Sequence, residues 1–229
     1  MSATNTQAEV IAARPQSRAR STLAKQARAD LILVAAEKLF LSDTSRMPTV
    51  LEIARQANIA KGTVYLYFQT KEEIFLNVLQ HHLQQWAEAV ATALEATQEP
   101  LSPDGLIEAY LSYPLRKPVV MNLASLSSLA LETNIPRDGL IKFKLAQIAS
   151  LNHLAGLVVK SVKGWPTDLP ARLFLQSHAC LLGVWQLAEP PDACQGVLEL
   201  PELRPLNVSF EVEARLVLGA LWRASWPNA

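Results

Sequence analysis

The chain has 229 residues, half of them hydrophobic and 18% charged, with 21 basic against 21 acidic side chains and no net charge. That composition fits one or two globular domains with a sizeable core and excludes a disordered or fibrous chain, while 8 Gly and 14 Pro exclude collagen-like periodicity. Mean hydropathy is +0.13, but no apolar run approaches the ~18 to 20 residues of a membrane span and the start lacks the apolar segment of a secretory signal, so a cytoplasmic protein with no membrane partner is expected.

Charge is unevenly placed. Residues 1–76 carry a net +3 and residues 77–229 a net −3, and Arg14, Arg18, Arg20, Lys25 and Arg28 are five cations with no acid between them. Such a run is either a solvated tail or the electrostatic arm of a nucleic-acid binder, whose attraction to phosphate needs charge more than shape. Residues 1–20 are polar, include Pro15 and lack periodicity, and are expected to form a disordered basic arm.

From residue 21 or 22 to 42 the apolar spacing is helical, with Ile32, Ala35, Ala36, Leu39 and Phe40 on one face. Thr49 can cap a second helix over 50–57, with Glu52 completing a capping box three residues on. Asn58 suits the left-handed conformation of a sharp turn, and a third short helix is predicted over 61–68. Thr70 and Glu73 form another capping box, opening a long helix to about residue 97. Prolines divide the rest into helices over 104–113, 119–133, 137–162 and 167–188, followed by a loop holding Pro190, Pro191, Pro201 and Pro205 and a last helix over 209–225. That loop is too long for an ordinary connection and is expected to be functional or mobile. Strand signals are absent, so the fold class is all-α, with about nine helices.

Two short helices joined by a tight turn and followed by a long helix form a helix-turn-helix pattern. Its second helix must stand clear of the core to reach base edges in a major groove about 12 Å wide. Lys61, Gly62, Thr63, Tyr65, Tyr67 and Lys71 provide a small, polar or hydroxyl-bearing surface of that kind, anchored inward by Val64 and Phe68. Tyr65 and Tyr67 taken singly could be core aromatics, and the two lysines ordinary solvated ones; their placement together favours DNA contact. Arg28 belongs to the basic run before them.

The segments Thr49-Val-Leu-Glu-Ile-Ala-Arg-Gln-Ala57, Asn58-Ile-Ala-Lys-Gly-Thr-Val-Tyr-Leu-Tyr-Phe68 and Gln69-Thr-Lys-Glu-Glu-Ile-Phe75, preceded by Ala35-Ala-Glu-Lys-Leu-Phe40, resemble the DNA-binding signature of TetR-type transcriptional regulators. The resemblance covers about fifty residues. It implies an all-α homodimer with a three-helix head over 21–75 and a variable body over 76–229 that dimerises and binds a small effector. It also implies that Thr49, Lys61, Gly62, Thr63, Tyr65, Tyr67 and Lys71 lie at a double-stranded DNA operator. The sequence departs from the pattern at Ala60, where a hydroxyl residue usually caps the recognition helix.

The body is less explicit. Phe174, His178, Leu181 and Trp185 share a face of the eighth helix, which reads either as core packing or as the wall of an apolar effector pocket. Trp86, Tyr110, Tyr113, Met121, Asn122, Phe143, Asn152 and His153 are further candidates for that wall. His153 and His178 lie on different helices, neither with a second ligand at i,i+4, and Cys180 and Cys194 lack partners at metal spacing, so no metal or cofactor is expected. No Gly-rich phosphate loop or nucleophile elbow is present, which weighs against an enzyme using the pocket. The competing non-enzymatic reading is a ligand-binding or scaffolding helical protein without operator binding.

Dimerisation is read from faces. The eighth helix has a second apolar face of Leu173, Cys180, Val184 and Leu187, and the last helix one of Leu218, Trp222 and Trp226. A helix packed on one side needs a single stripe a little over 100° wide, so these second faces predict a two-fold four-helix interface.

Overall fold

The computed structural model describes residues 5–44, 46–96, 100–190 and 192–227, with side chains from residue 23 onward apart from 128, 129, 192, 193 and 195. Among these, ten α-helices run in the order α1 (Asn5–Ser42), α2 (Val50–Gln56), α3 (Lys61–Val64), α4 (Lys71–Ala96), α5 (Pro103–Arg116), α6 (Val119–Leu126), α7 (Arg137–Ser161), α8 (Leu169–Ala188), α9 (Asp192–Leu198) and α10 (Phe210–Ser225). No described helix is long and apolar enough to cross a membrane.

The organising element is α4, whose 26 residues extend about 39 Å at 1.5 Å each. Ile74, Phe75, Val78 and Leu79 bury its first half against α1, and Trp86, Val90 and Leu94 its second half in the body. One helix therefore belongs to both cores. In the head, Ile32, Ala35, Ala36 and Phe40 of α1 meet Ile53 and Ala54 of α2 and Val64 after the turn, and the rings of Phe40 and Phe75 lie 5.7 Å apart. In the body, α8 packs on α7 and α10, and α10 also packs on α5.

Several elements differ from the sequence-based expectation. Helix α1 begins at Asn5, so residues 5–20, expected to be disordered, continue a helix; they are rich in Ala and Arg, strong helix formers, and extend a helix already nucleated by the packed half. Residues 1–4 of that arm lie outside the described residues. Helix α3 ends at Val64, after which Leu66 and Tyr67 donate backbone hydrogen bonds three residues back, a tighter winding. The helix expected over 119–133 changes winding twice: α6 stops at Leu126, a π turn spans Ser127–Leu131, and a 3₁₀ turn spans Glu132–Asn134. The proline-rich loop contains α9 and a 3₁₀ turn over Pro201–Leu206.

Helix α5 runs through Pro114. Proline has no N–H to donate to the carbonyl four residues back, that of Tyr110. The indole Nε1 of Trp86 donates to that carbonyl instead, at 2.7 Å.

Candidate nucleic-acid interface and ligand cavity

The head builds its outer surface from caps. The Thr49 hydroxyl accepts the backbone N–H of Glu52 at 3.3 Å, the Glu52 carboxylate accepts the Thr49 N–H at 2.7 Å, and the Thr49 hydroxyl donates to the same carboxylate at 2.8 Å. These bonds and the Arg46 guanidinium, 2.8 Å away, hold the Glu52 carboxyl down at about 2, with the Arg46 bond the largest cause. Thr49, expected at DNA, thus has its hydroxyl proton already engaged. Asn58 takes φ 54°, and the left-handed turn delivers the chain to α3.

Along α3 and its following turn, Lys61, Gly62 and Tyr65 are exposed, Thr63 and Tyr67 half-buried, and Val64 and Phe68 buried. The structure therefore brings Lys61, Gly62, Thr63 and Tyr65 to one outward surface, with the Lys61 ammonium 5.9 Å from the Tyr65 ring centre. A Cβ at Gly62 would meet nothing within 4 Å, so that backbone is open to close approach. Leu66, 76% exposed, is an unforeseen member of this surface. Ala60 caps α3 without a side-chain hydrogen bond.

Thr70 accepts the Glu73 N–H at 3.0 Å, but the Glu73 carboxylate takes the N–H of Gln69, at 2.7 Å, in place of that of Thr70. The reciprocal half of the expected box is shifted by one residue. Lys71 opens α4, half-buried, and Arg28 is exposed on α1. The surface has amide ends, lysines and hydroxyls suited to phosphate, and an uncommitted helical edge suited to bases.

In the body, α4, α5, α7 and α8 enclose a cavity of about 470 Å³, lined by Trp86, Tyr110, Phe174 and His178 with Leu83, Leu151, Leu154 and Leu182. The rings of Trp86 and Tyr110 are 4.8 Å apart, those of Tyr110 and Phe174 5.5 Å, and those of Trp86 and His178 6.0 Å. Burial, and secondarily the nearby Lys144 charge, push the His178 pKa down, which keeps the ring neutral at pH 7. Burial pushes the Tyr110 phenol up. Lys144 and Glu132, 2.7 Å apart, form the charged part of the wall.

Of the residues expected at the effector wall, Trp86, Tyr110, Phe174 and His178 meet in this cavity. The others are elsewhere. Trp185 packs edge-on against Phe210 at 4.9 Å and donates to Asn122 Oδ1 at 3.2 Å, and both residues line a separate hollow beside Pro114 and Glu189. Met121 is fully buried in the core, and His153 is exposed on α7, as is Asn152. Tyr113 is buried beside His82, and burial with the Glu37 charge raises its phenol to about 12. Phe143 faces a different cavity, between the start of α4 and the start of α7. Helix α7 contributes Lys144, Gln147, Ile148, Ser150, Leu151 and Leu154, of which 144, 147, 148 and 151 are spaced i, i+3, i+4, i+7.

The faces expected at a dimer interface also move. Leu173, Val184, Leu218 and Trp222 are buried within the subunit, because α8 and α10 turn these faces toward each other and toward α5 and α7. The Trp222 indole donates to the buried Ser177 hydroxyl at 2.9 Å, and its ring lies 5.0 Å from Phe174. Cys180 is half-buried and Leu187 exposed. Outward on α8 are Arg172, Leu175, Gln176, Ala179, Gly183, Gln186 and Leu187, and on α10 Glu211, Val212, Leu216, Ala220, Arg223 and Ala224. Arg215 and Arg223, also on α10, pair with Glu108 and Asp104 of α5 at 2.8 and 2.6 Å.

Residues 32–78 match the profile of bacterial regulatory proteins of the tetR family, and residues 80–223 that of the tetracyclin repressor-like C-terminal domain. An uncharacterized HTH-type transcriptional regulator of Bacillus subtilis, YhgD, is 23% identical over 193 residues, 80% of this chain and 98% of that one. Among solved structures, the regulator FadR from Bacillus subtilis in complex with stearoyl-CoA superposes with a TM-score of 0.52 at 18% identity, covering 84% of this chain and 96% of that one. SmeT, the repressor of the Stenotrophomonas maltophilia multidrug efflux pump SmeDEF, superposes with a TM-score of 0.51 at 16% identity, covering 88% and 91%.

Proposed function

The chain belongs to the TetR family of helix-turn-helix, DNA-binding transcriptional regulators, and from that premise we propose that it is a homodimeric repressor released from its operator by a small, largely apolar effector. The observation that carries this reading is that α4 is shared: it starts three residues after the turn following the recognition helix and, four turns on, presents Trp86 to the 470 Å³ cavity. A ligand that prefers one disposition of α4 biases the separation of two heads that must meet successive major grooves, about 34 to 36 Å apart. In this reading residues 21–75 form the DNA-binding domain and 76–229 the effector and dimerisation domain. Lys61, Gly62, Thr63 and Tyr65 read bases, Lys71 and Arg28 meet phosphate, and Trp86, Phe174 and His178 contact the effector. The solved neighbour carrying stearoyl-CoA and the repressor SmeT share the fold, which is consistent with an apolar ligand and with repression.

The deciding experiment is selection of bound duplexes from genomic DNA by the purified full chain. Enrichment of a two-fold symmetric site with half-sites one helical turn apart is expected. Uniform recovery of all sequences, with binding abolished by moderate salt, would leave only non-specific attraction to phosphate.

A further inference from the structure

We infer that the chain carries a second small-molecule site at the junction of head and body, separate from the body cavity, and that this site takes a protonated organic amine with an apolar skeleton. The site is the cleft of about 560 Å³ between the start of α4 and the start of α7, a volume within the range of pockets that hold small ligands. Leu76 and Phe143, both buried, form the apolar part of its lining together with Ile135 and Ala146. A Cβ on Gly139, in the first turn of α7, would meet nothing within 4 Å, so the α7 surface there is bare backbone beside open space.

The class of ligand follows from the polar lining, which is rich in acceptors. Gln80 Oε1 is buried and has no hydrogen-bond partner, a state that costs free energy until a donor reaches it. The Asn77 amide donates to the Glu73 carbonyl at 2.8 Å, which leaves the Asn77 side-chain oxygen as an acceptor. The Glu73 carboxylate accepts the Gln69 N–H at 2.7 Å and has lone pairs to spare. Asp138 adds a second carboxylate, against which Lys142 is the only cation among the described lining residues. Four acceptor groups, two of them anionic, fit a ligand that brings N–H donors and a positive charge. A carboxylic acid or a phosphate would face Glu73 and Asp138 with Lys142 as its only cationic partner.

Position gives such a ligand a handle on the head. Glu73, Asn77 and Gln80 belong to the turns of α4 whose Ile74, Phe75 and Val78 are buried against α1, whereas Asp138, Gly139 and Phe143 belong to a helix of the body. An occupant touches both, so its contacts change whenever the head shifts against the body, and unequal contact with two states is what lets a ligand bias them. Gln80 also lines the body cavity, so one side chain stands beside both spaces. The junction cleft is therefore a second input to the head, unlike the first in chemistry: the body cavity is walled by aromatic rings, the cleft by acceptors.

The test uses the full chain carrying ¹³C at its isoleucine δ1 methyl groups, because Ile135 lines the cleft and Ile148 the body cavity. On titration with 4-phenylbutylamine at neutral pH, the Ile135 methyl resonance should move and saturate while that of Ile148 stays in place. 4-Phenylbutyrate, the same skeleton with its charge reversed, should bind at least about tenfold more weakly. Gly139→Trp, which fills the cleft, should abolish the Ile135 shift with the remaining methyl resonances unmoved, and Asp138→Asn should weaken the amine without weakening the acid. A shift of Ile148 in place of Ile135, equal affinity for amine and acid, no saturation at millimolar amine, or undiminished amine affinity in both variants would each overturn the inference. No step involves DNA, so the outcome is independent of the operator reading.

Discussion

The Nε2 of His82 lies 3.1 Å from Oε1 of Glu37, which fastens α4 to α1 at the boundary between head and body. On its other side the ring's Nδ1 lies 2.8 Å from the Tyr113 hydroxyl of α5, and that hydroxyl donates to Gln85 Oε1 at 2.7 Å. With its own proton given to Gln85, the Tyr113 oxygen is left to accept from His82. Three helices thus share one buried polar chain. His82→Ala should cost ~1 to 3 kcal/mol by leaving Tyr113 and Glu37 without their partner, and should weaken operator binding by loosening the head. The His82 bond is the largest cause that lowers the Glu37 pKa. Its contribution to stability is therefore full above the ordinary carboxylate value, begins to be lost below about pH 4.3 and is gone once pH has fallen through the lower folded value. Urea unfolding between pH 3 and 6 should show a steeper acid loss in wild type than in Glu37→Gln; parallel curves would contradict the role assigned to the pair.

On the recognition surface, Thr63→Ala or Tyr65→Ala should weaken specific binding by ~1 to 3 kcal/mol while the protein stays folded. Lys71→Ala should weaken binding to all sequences alike and reduce the salt slope by about one unit. Titrations at several salt concentrations separate the two behaviours, and an unchanged affinity in all three variants would remove α3 from the DNA.

The His178 ring is held neutral in the fold, its pKa lowered by burial and then by Lys144. The unfolded chain binds that proton more readily, so stability should fall as pH drops below about 6.5, the ordinary histidine value. His178→Gln should flatten that part of the profile and also alter quenching of tryptophan fluorescence by an apolar ligand. A variant with the wild-type profile and wild-type quenching would take His178 out of the cavity's chemistry.

Trp222 and Leu216 lie on one helix and should behave oppositely. Trp222→Ala removes a ring buried against Phe174 and Trp165 and strands the Ser177 hydroxyl, and should cost ~3 to 5 kcal/mol. Leu216→Asp changes an exposed side chain, and should leave helical content intact while shifting sedimentation toward the monomer. Preserved dimerisation in Leu216→Asp would move the interface away from the outward face of α10.

The head was legible because its signals are local. Thr49 with Glu52, Asn58 and the anchors Val64 and Phe68 act within a few residues, and capping and turn chemistry is written at that range. The body depends on which helix faces which, and an apolar stripe does not name its partner. Trp222 meets Ser177 from 45 positions away, which turned an expected interface face into core. Pro114 read as an interruption because the group that satisfies the Tyr110 carbonyl, the Trp86 indole, lies 24 positions away from it in the chain. That exchange also explains why Trp86 is fixed in the cavity wall, a constraint absent from its own neighbourhood.

The π turn over Ser127–Leu131 has a consequence for the cavity's only charged pair among its described lining residues. Five residues separate Ser127 from Glu132, and at 100° per residue an α-helix would rotate them about 140° apart. The wider turn closes with the Glu132 N–H on the Ser127 carbonyl, and both residues line the cavity. Glu132 reaches Lys144 because the chain inserts one extra residue per revolution at that point. Rewinding the same residues at ordinary pitch would swing the carboxylate out of line, whereas deleting one of them would leave Glu132 four positions and about 40° from Ser127, so the chemistry of the wall depends on the phase of this turn with every lining side chain unaltered.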